Sequence, residues 1–380
     1  VKIVFLLSTY LFLSACASVD SSRSQRLVYD KAWVRSTLKT QWYGNRRIQR
    51  FTPILTDDLI IAGNSVDGIV AFDRKYVYEK WRFDVLDGVE PGAVLSDGIL
   101  YFGASDGMFY AVNSTDGKML WSYPLKAEGL GKPTISGDVV FVLGGNNIAH
   151  ALEAKTGKLV WTYNRRDASN LSIRGGSQPA VSGDMVYFGF SDGALVALNR
   201  TTGNIIWEAN LNPNKRFKDV DAAPIIDGEV IYISSYDGKI YSLNKQDGKV
   251  NWSIDEGGYE AVLVAGKTLF ISTTSGKTLA LDKGSGKTIW SKQNPKGIGT
   301  GLGLWRGVLI YGEMEGSLRF LDGRTGEFLN SFDPGRGVTA RPYIDKKTNQ
   351  VIFTSSDANV YALKLDFKRN ILDWPWEKNL

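Results

Sequence analysis

SDGALVALNRTTGNIIW, residues 191–207, holds the pattern that decides the fold. A Ser-Asp-Gly turn opens onto an apolar run, Thr-Thr-Gly makes a second tight turn, and a second β-prone run ends on Trp207. Val, Ile and aromatic residues between glycine turns favour short antiparallel strands, because Gly supplies the positive φ such turns need. The same sentence recurs along the chain. SDGMFYAVNSTDGKMLW ends at Trp121, NNIAHALEAKTGKLVW at Trp161, YDGKIYSLNKQDGKVNW at Trp252 and SGKTLALDKGSGKTIW at Trp290. SVDGIVAFDRKYVYEKW, ending at Trp81, lacks the second glycine, and EGSLRFLDGRTGEFLN carries Asn330 where the Trp should stand. Successive anchors lie 40, 40, 46, 45, 38 and 40 residues apart, a period that marks stacked or radial repeats.

Each copy is preceded by a further strand entered through a turn, as in KPTISGDVVFV, QPAVSGDMVYF and AAPIIDGEVIYI, and a Pro at a strand entrance costs no ladder bond. Four short strands per unit cannot bury an apolar face alone. Arranged radially, they predict an all-β, eight-bladed β-propeller with four-stranded antiparallel blades. Units counted from their inner strands begin near Pro53, Gly92, Pro133, Pro179, Pro224, Ala261, Gly301 and Pro342. The last unit has no Trp in register, so an N-terminal strand around LKTQWYG, with Trp42, is expected to complete it and close the ring.

The tryptophans read as inter-blade packing residues whose indole N–H reaches a neighbouring acceptor, rather than as a cofactor box. Asp106-Gly107, Asp192-Gly193 and Asp237-Gly238 read as turns before metal ligands. A single Cys allows no intramolecular disulfide, and a single His, His150 in an alternating stretch, leaves no His-rich metal site or conventional nucleophilic triad. Asp219 with Asp221, and Glu313 with Glu315, are spaced to share a strand face, but no matched partner groups accompany them. The net charge of +5 arises from 45 Lys and Arg mixed with 40 Asp and Glu, without the basic stripe that nucleic-acid binding calls for. The expectation is a non-enzymatic protein with no cofactor and no metal.

The opening VKIVFLLSTYLFLSACAS has one Lys, an apolar run too short to span a bilayer, and small residues after it, which reads as an export signal. Leu13-Ser14-Ala15-Cys16 resembles the bacterial lipoprotein signal. That resemblance implies cleavage before Cys16, acylation of its thiol and amine, and, with Ala17 next, sorting to the outer membrane. More than one acyl chain anchors stably. The expected organisation is a lipoprotein signal peptide at 1–15, lipidated Cys16 and a flexible tether at 16–30, and the propeller with a C-terminal tail at 31–380. The tail's Trp374 and Trp376 are read either as packing on the disc or as meeting membrane or partner.

The two longest spacings mark insertions at equivalent places in adjacent units, NRRDASNLSIRGGSQPA after Trp161 and NLNPNKRFKDVDAAP after Trp207. They are expected side by side on one face, as candidate binding loops. Leu171 and Ile173 are apolar in a loop, Arg174 offers a planar five-donor head, and Asp219 and Asp221 supply acceptors, a composition that suits a protein contact. The alternative is that Leu171 and Ile173 fold inward while Arg174 pairs with Asp219 or Asp221 within the chain.

The blade pattern is similar to that of quinoprotein dehydrogenases, which hold pyrroloquinoline quinone above calcium, often beside a vicinal disulfide that one Cys cannot form. Signal, blades and the segments LSIRGG at 171–176 and KDVDAAP at 218–224 together resemble the outer-membrane β-barrel assembly lipoproteins, the BamB family. The resemblance implies a scaffold of the barrel assembly machine, lipid-anchored in the outer membrane and facing the periplasm. It would bind the periplasmic POTRA domains of the central barrel protein BamA and assist nascent outer-membrane proteins. By motif, Leu171, Ile173, Arg174, Asp219 and Asp221 would make the contact. The alternatives are a quinone-dependent dehydrogenase, or a lipoprotein propeller that binds another envelope component.

Overall fold

The computed structural model describes residues 25–39, 48–165, 176–211, 219–236 and 238–369. Among them the strands gather into eight four-stranded antiparallel sheets, seven built from consecutive strands and the eighth from both ends of the chain. Blade 4 is representative, with strands Ala180–Ser182, Met185–Gly189, Ala194–Asn199 and Ile205–Asn210 running from the axis outward. Its two middle strands are buried almost throughout, because each blade is sandwiched between neighbours, and buried strands read as near-continuous apolar runs. The outer strand meets a neighbour on one face only. It alternates between exposed residues and the buried Trp207.

The core lies between blades. Ile61, Ile69, Ala71 and Trp81 of blade 1 pack with Leu100, Phe102 and Val112 of blade 2, and the pattern repeats around the ring. Each anchor Trp reaches into the next blade. The Nε1–H of Trp81, Trp121, Trp161, Trp207, Trp252 and Trp290 donates to the carbonyl of Ser114, Ala154, Arg200, Lys245, Lys283 and Gly323, at 2.9–3.1 Å. Their rings lie on the turn glycines of the next blade. A Cβ on Gly203 would fall 2.7 Å from Cδ2 of Trp161, and φ there is +74°. Glycine at that turn therefore satisfies two demands, the left-handed backbone and the flat seat for an indole.

The outer strand of blade 8 is Gln25–Ser36, antiparallel to Asn359–Arg369, as the expected N-terminal closure requires. Its position differs from expectation. The strand begins inside the stretch read as tether, and Trp33, not Trp42, stands opposite Ala362 after a bulge. The alternation of Leu27, Tyr29 and Trp33 was masked by the charged residues on the exposed face. Trp42 lies outside the described residues. The seam is tied by the Thr37 hydroxyl donating to Ala358 O at 2.7 Å, Asn64 Nδ2 donating to Thr37 O at 3.0 Å, and Arg74 paired with Asp345 at 2.7 Å.

Candidate functional site

The first insertion joins the outer strand of blade 3, Leu159–Asn164, to the inner strand of blade 4. The second joins Ile205–Asn210 to the inner strand of blade 5, Ile225–Asp227, so the two are equivalent crossovers in neighbouring blades. Leu171, Ile173 and Arg174 lie outside the described residues, as do Cys16, Asp237, Trp374 and Trp376. The roots of the insertions touch: the Ser177 hydroxyl donates to Ala222 O at 3.0 Å. At the entrance of the first, Arg165 pairs with Asp192 of the Asp-Gly turn at 2.5 Å and with Glu208 at 2.7 Å, and its guanidinium lies over Phe190. Sequence reading passed over Arg165, whose only signal is its place directly after an outer strand.

Asp219 and Asp221 do not sit together as acceptors on an exposed surface. Asp219 is fully buried, its carbonyl accepting from Tyr236 N at 3.0 Å, and the adjoining Val220 packs where a Cβ on Gly189 would collide. Asp221 lies on the wall of the axial cavity. Burial, together with the Asp219 charge, pushes its carboxyl up to about 7 against the opposing pull of Arg50. The spacing of two residues was legible. The inward turn of the chain was not, because it follows from the Pro224 entrance to an inner strand facing the axis.

The cavity encloses about 880 Å³. Among its lining residues are Arg50, Lys132, Asp221, Tyr259, Glu260 and Arg341, drawn from the segments leading into different inner strands. Arg50 stands 3.6 Å from Glu90. Burial raises the carboxyl of Glu260, against Arg341 and Arg50, which lower it. Burial also raises the Tyr259 phenol, keeping it protonated. This central charge cluster was not anticipated from sequence, although every member lies just before an inner strand.

The remaining candidates are structural. Asp106 and Asp192 accept from Met108 N at 3.0 Å and Ala194 N at 3.1 Å, and Gly107 and Gly193 have positive φ, as turns require. His150 is buried edge-on to Tyr123, and burial lowers its pKa to about 4, so the imidazole is neutral. Glu313 is buried 4.0 Å from Arg319 while Glu315 is exposed, so the two do not form a pair. Among the described residues, no three His, Cys, Asp or Glu groups converge as a metal site.

A family model described as outer membrane protein assembly factor BamB matches residues 66–292. The outer membrane protein assembly factor BamB of Shewanella oneidensis is 28% identical over 43% of this chain and 46% of its own length. Quinohemoprotein alcohol dehydrogenase ADH IIB of Pseudomonas putida is 30% identical over 35% of this chain and 23% of its own. The chain thus spans less than half the length of either relative. The crystal structure of BamB from Moraxella catarrhalis superposes with a TM-score of 0.76 at 19% identity, over 89% of this chain and all of that one, a likeness of fold. Because the family model covers more than half of the sequence, from the first blade into the sixth, the chain belongs to the family of outer membrane protein assembly factor BamB.

Proposed function

We propose that the protein is a non-enzymatic scaffold of the outer-membrane β-barrel assembly machine. Lipid on Cys16 holds it at the outer membrane, facing the periplasm, and the two insertions grip the periplasmic POTRA domains of the central barrel protein, BamA. The family match carries this reading. The shared root of the insertions, Ser177 on Ala222, favours one composite contact surface. Leu171, Ile173 and Arg174 make the contact, while Asp219 and Asp221 act from behind as positioning residues that hold the second root. Nascent outer-membrane proteins are the cargo such a scaffold would help to fold and insert.

Binding of the chain to purified POTRA domains tests this directly, with Arg174→Glu beside wild type and circular dichroism on both. The expected result is at least about tenfold weaker binding by the folded variant, roughly 1.4 kcal/mol. Wild type that is folded and does not bind would overturn the reading.

The similarity to a quinohemoprotein dehydrogenase favours a second reading, an oxidoreductase using a bound quinone. The residues do not fit a calcium-held quinone beside a vicinal disulfide: the chain has one Cys, and no metal-binding cluster occurs among the described residues. Dye reduction after addition of quinone and calcium would revive that reading.

A further inference from the structure

Eight inner strands begin at Ile54, Val94, Thr134, Ala180, Ile225, Leu263, Gly303 and Tyr343. Two residues before each start lies one ring of equivalent positions, all but Gly301 lining the axial cavity. Six of its positions are small or uncharged, namely Thr52, Gly92, Gln178, Ala223, Ala261 and Gly301, and the other two are Lys132 and Arg341. Both cations line the cavity. The small residues make room for their stems: a Cβ on Gly92 would sit 3.1 Å from Cδ of Lys132, and one on Gly301 would sit 3.0 Å from Cδ of Arg341.

Among the described residues neither cation has a carboxylate at ion-pair distance, whereas Arg50, Arg74 and Arg165 all do. Burial, and secondarily the charge of Arg341, lowers the pKa of Lys132. Glu260 lies on the Arg341 side, where a Cβ on Gly301 would approach both, Glu260 at 2.8 Å; burial raises its carboxyl against Arg341 and Arg50, which lower it. Among the described residues the cavity wall carries four cations, Arg50, Lys132, Arg341 and Lys346, against two acids, Asp221 and Glu260, and a fold retains such an excess of positive charge most simply where a ligand supplies the missing charge.

We propose that the axial cavity binds a small organic dianion through carboxylate or phosphate oxygens placed between Lys132 and Arg341. The guanidinium offers a planar fork to paired oxygens and the ammonium a point charge. Tyr259, Tyr343, Leu263 and Leu304 give the ligand's carbon body an apolar wall, and the cavity is of metabolite size. The proposal does not rest on the POTRA-binding reading above, although Asp221, on the cavity wall, also belongs to the root of the second insertion.

Succinate and inorganic phosphate serve as probes of the two oxyanion chemistries, in isothermal titration and thermal melts at ionic strength matched with sodium chloride. At least one is expected to bind wild type and raise its melting temperature. Lys132→Gln and Arg341→Gln should each weaken that binding by about tenfold or more, Lys132→Arg should retain it, and Lys158→Gln, in the turn before the outer strand Leu159–Asn164, should leave it unchanged. Without anion, Lys132→Gln should melt above wild type, since it relieves the facing charges. Binding by succinate alone identifies carboxylates, and by phosphate alone phosphates. No saturable binding of either probe, or equal binding by both Gln variants and wild type, overturns the proposal. Should the Gln variants fail to fold, loss of binding in Arg341→Lys with full binding in Lys158→Gln supports it, and absence of binding in wild type still refutes it.

Discussion

Asp221 illustrates how one residue's chemistry depends on where the wall of the ring turns. Its carboxyl, raised to about 7 by burial and by the neighbouring Asp219, holds its proton more tightly in the folded state than in the unfolded chain. The folded state therefore binds more protons between the unfolded value and about 7, so this contribution to stability is complete below the unfolded pKa and is lost as pH rises through about 7. Asp221→Asn should flatten the stability profile over that window. At pH 8 it should be more stable than wild type by on the order of 1 kcal/mol, with water in the cavity screening the effect. Denaturant titrations at pH 5, 6, 7 and 8 measure this, and parallel wild-type and variant profiles would contradict the assignment. The acid was visible in the motif KDVDAAP; its environment was not, because the surrounding charges come from Arg50 and Asp219, one of them far away in sequence.

Between neighbouring elements the repeating device is an indole seated on a turn glycine. Trp207→Ala removes a nearly buried ring and its 3.0 Å hydrogen bond to Lys245 O, and should cost about 3–5 kcal/mol in chemical denaturation. Both irregular repeats noted in the sequence flank the closure, for a physical reason. Blade 8 has no turn between its third and outer strands, since its outer strand comes from the other end of the chain, so a Trp at position 330 would have no glycine to sit on. Asn330 instead donates to Leu27 O at 3.1 Å, and Tyr29 fills the space, its hydroxyl donating to Ser331 O and its ring stacked on Phe320. Phe320 stands opposite Asn330 where other blades place Ala or Ser opposite Trp. Asn330→Trp alone should therefore destabilise by overpacking, about 1–3 kcal/mol, and Phe320→Ala in the same chain should recover part of the loss. Additive losses in that double-mutant cycle would show that the exchange of large and small is not coupled. On the other side of the seam Val77, with φ +57°, occupies the glycine place of blade 1 and packs with Trp33.

For the molecule as a whole, stability depends on joining the two ends of the chain. Leu27, Tyr29 and Phe367 belong to the core between blades 7 and 8, and Trp33 to the one between blades 8 and 1. Deletion of residues 25–36 would uncover both clusters and leave Asn359–Arg369 as an unpaired edge, a template for association. The expected outcome is a lower, broader melt with soluble aggregate on size exclusion; a sharp melt at the wild-type temperature and a monomeric profile would show that closure is dispensable. The repeat, its strand grammar, the number of blades and the need for an N-terminal strand all follow from the sequence, because alternation, turn glycines and Trp spacing are local properties that survive translation along the chain. Which segment closes the ring, why Asn330 replaces Trp, where Asp219 and Asp221 lie, and that Lys132 and Arg341 line one cavity were decided only by the tertiary structure. Those features depend on bending the array into a circle, which brings together residues from distant repeats whose spacing along the chain carries no trace of their meeting.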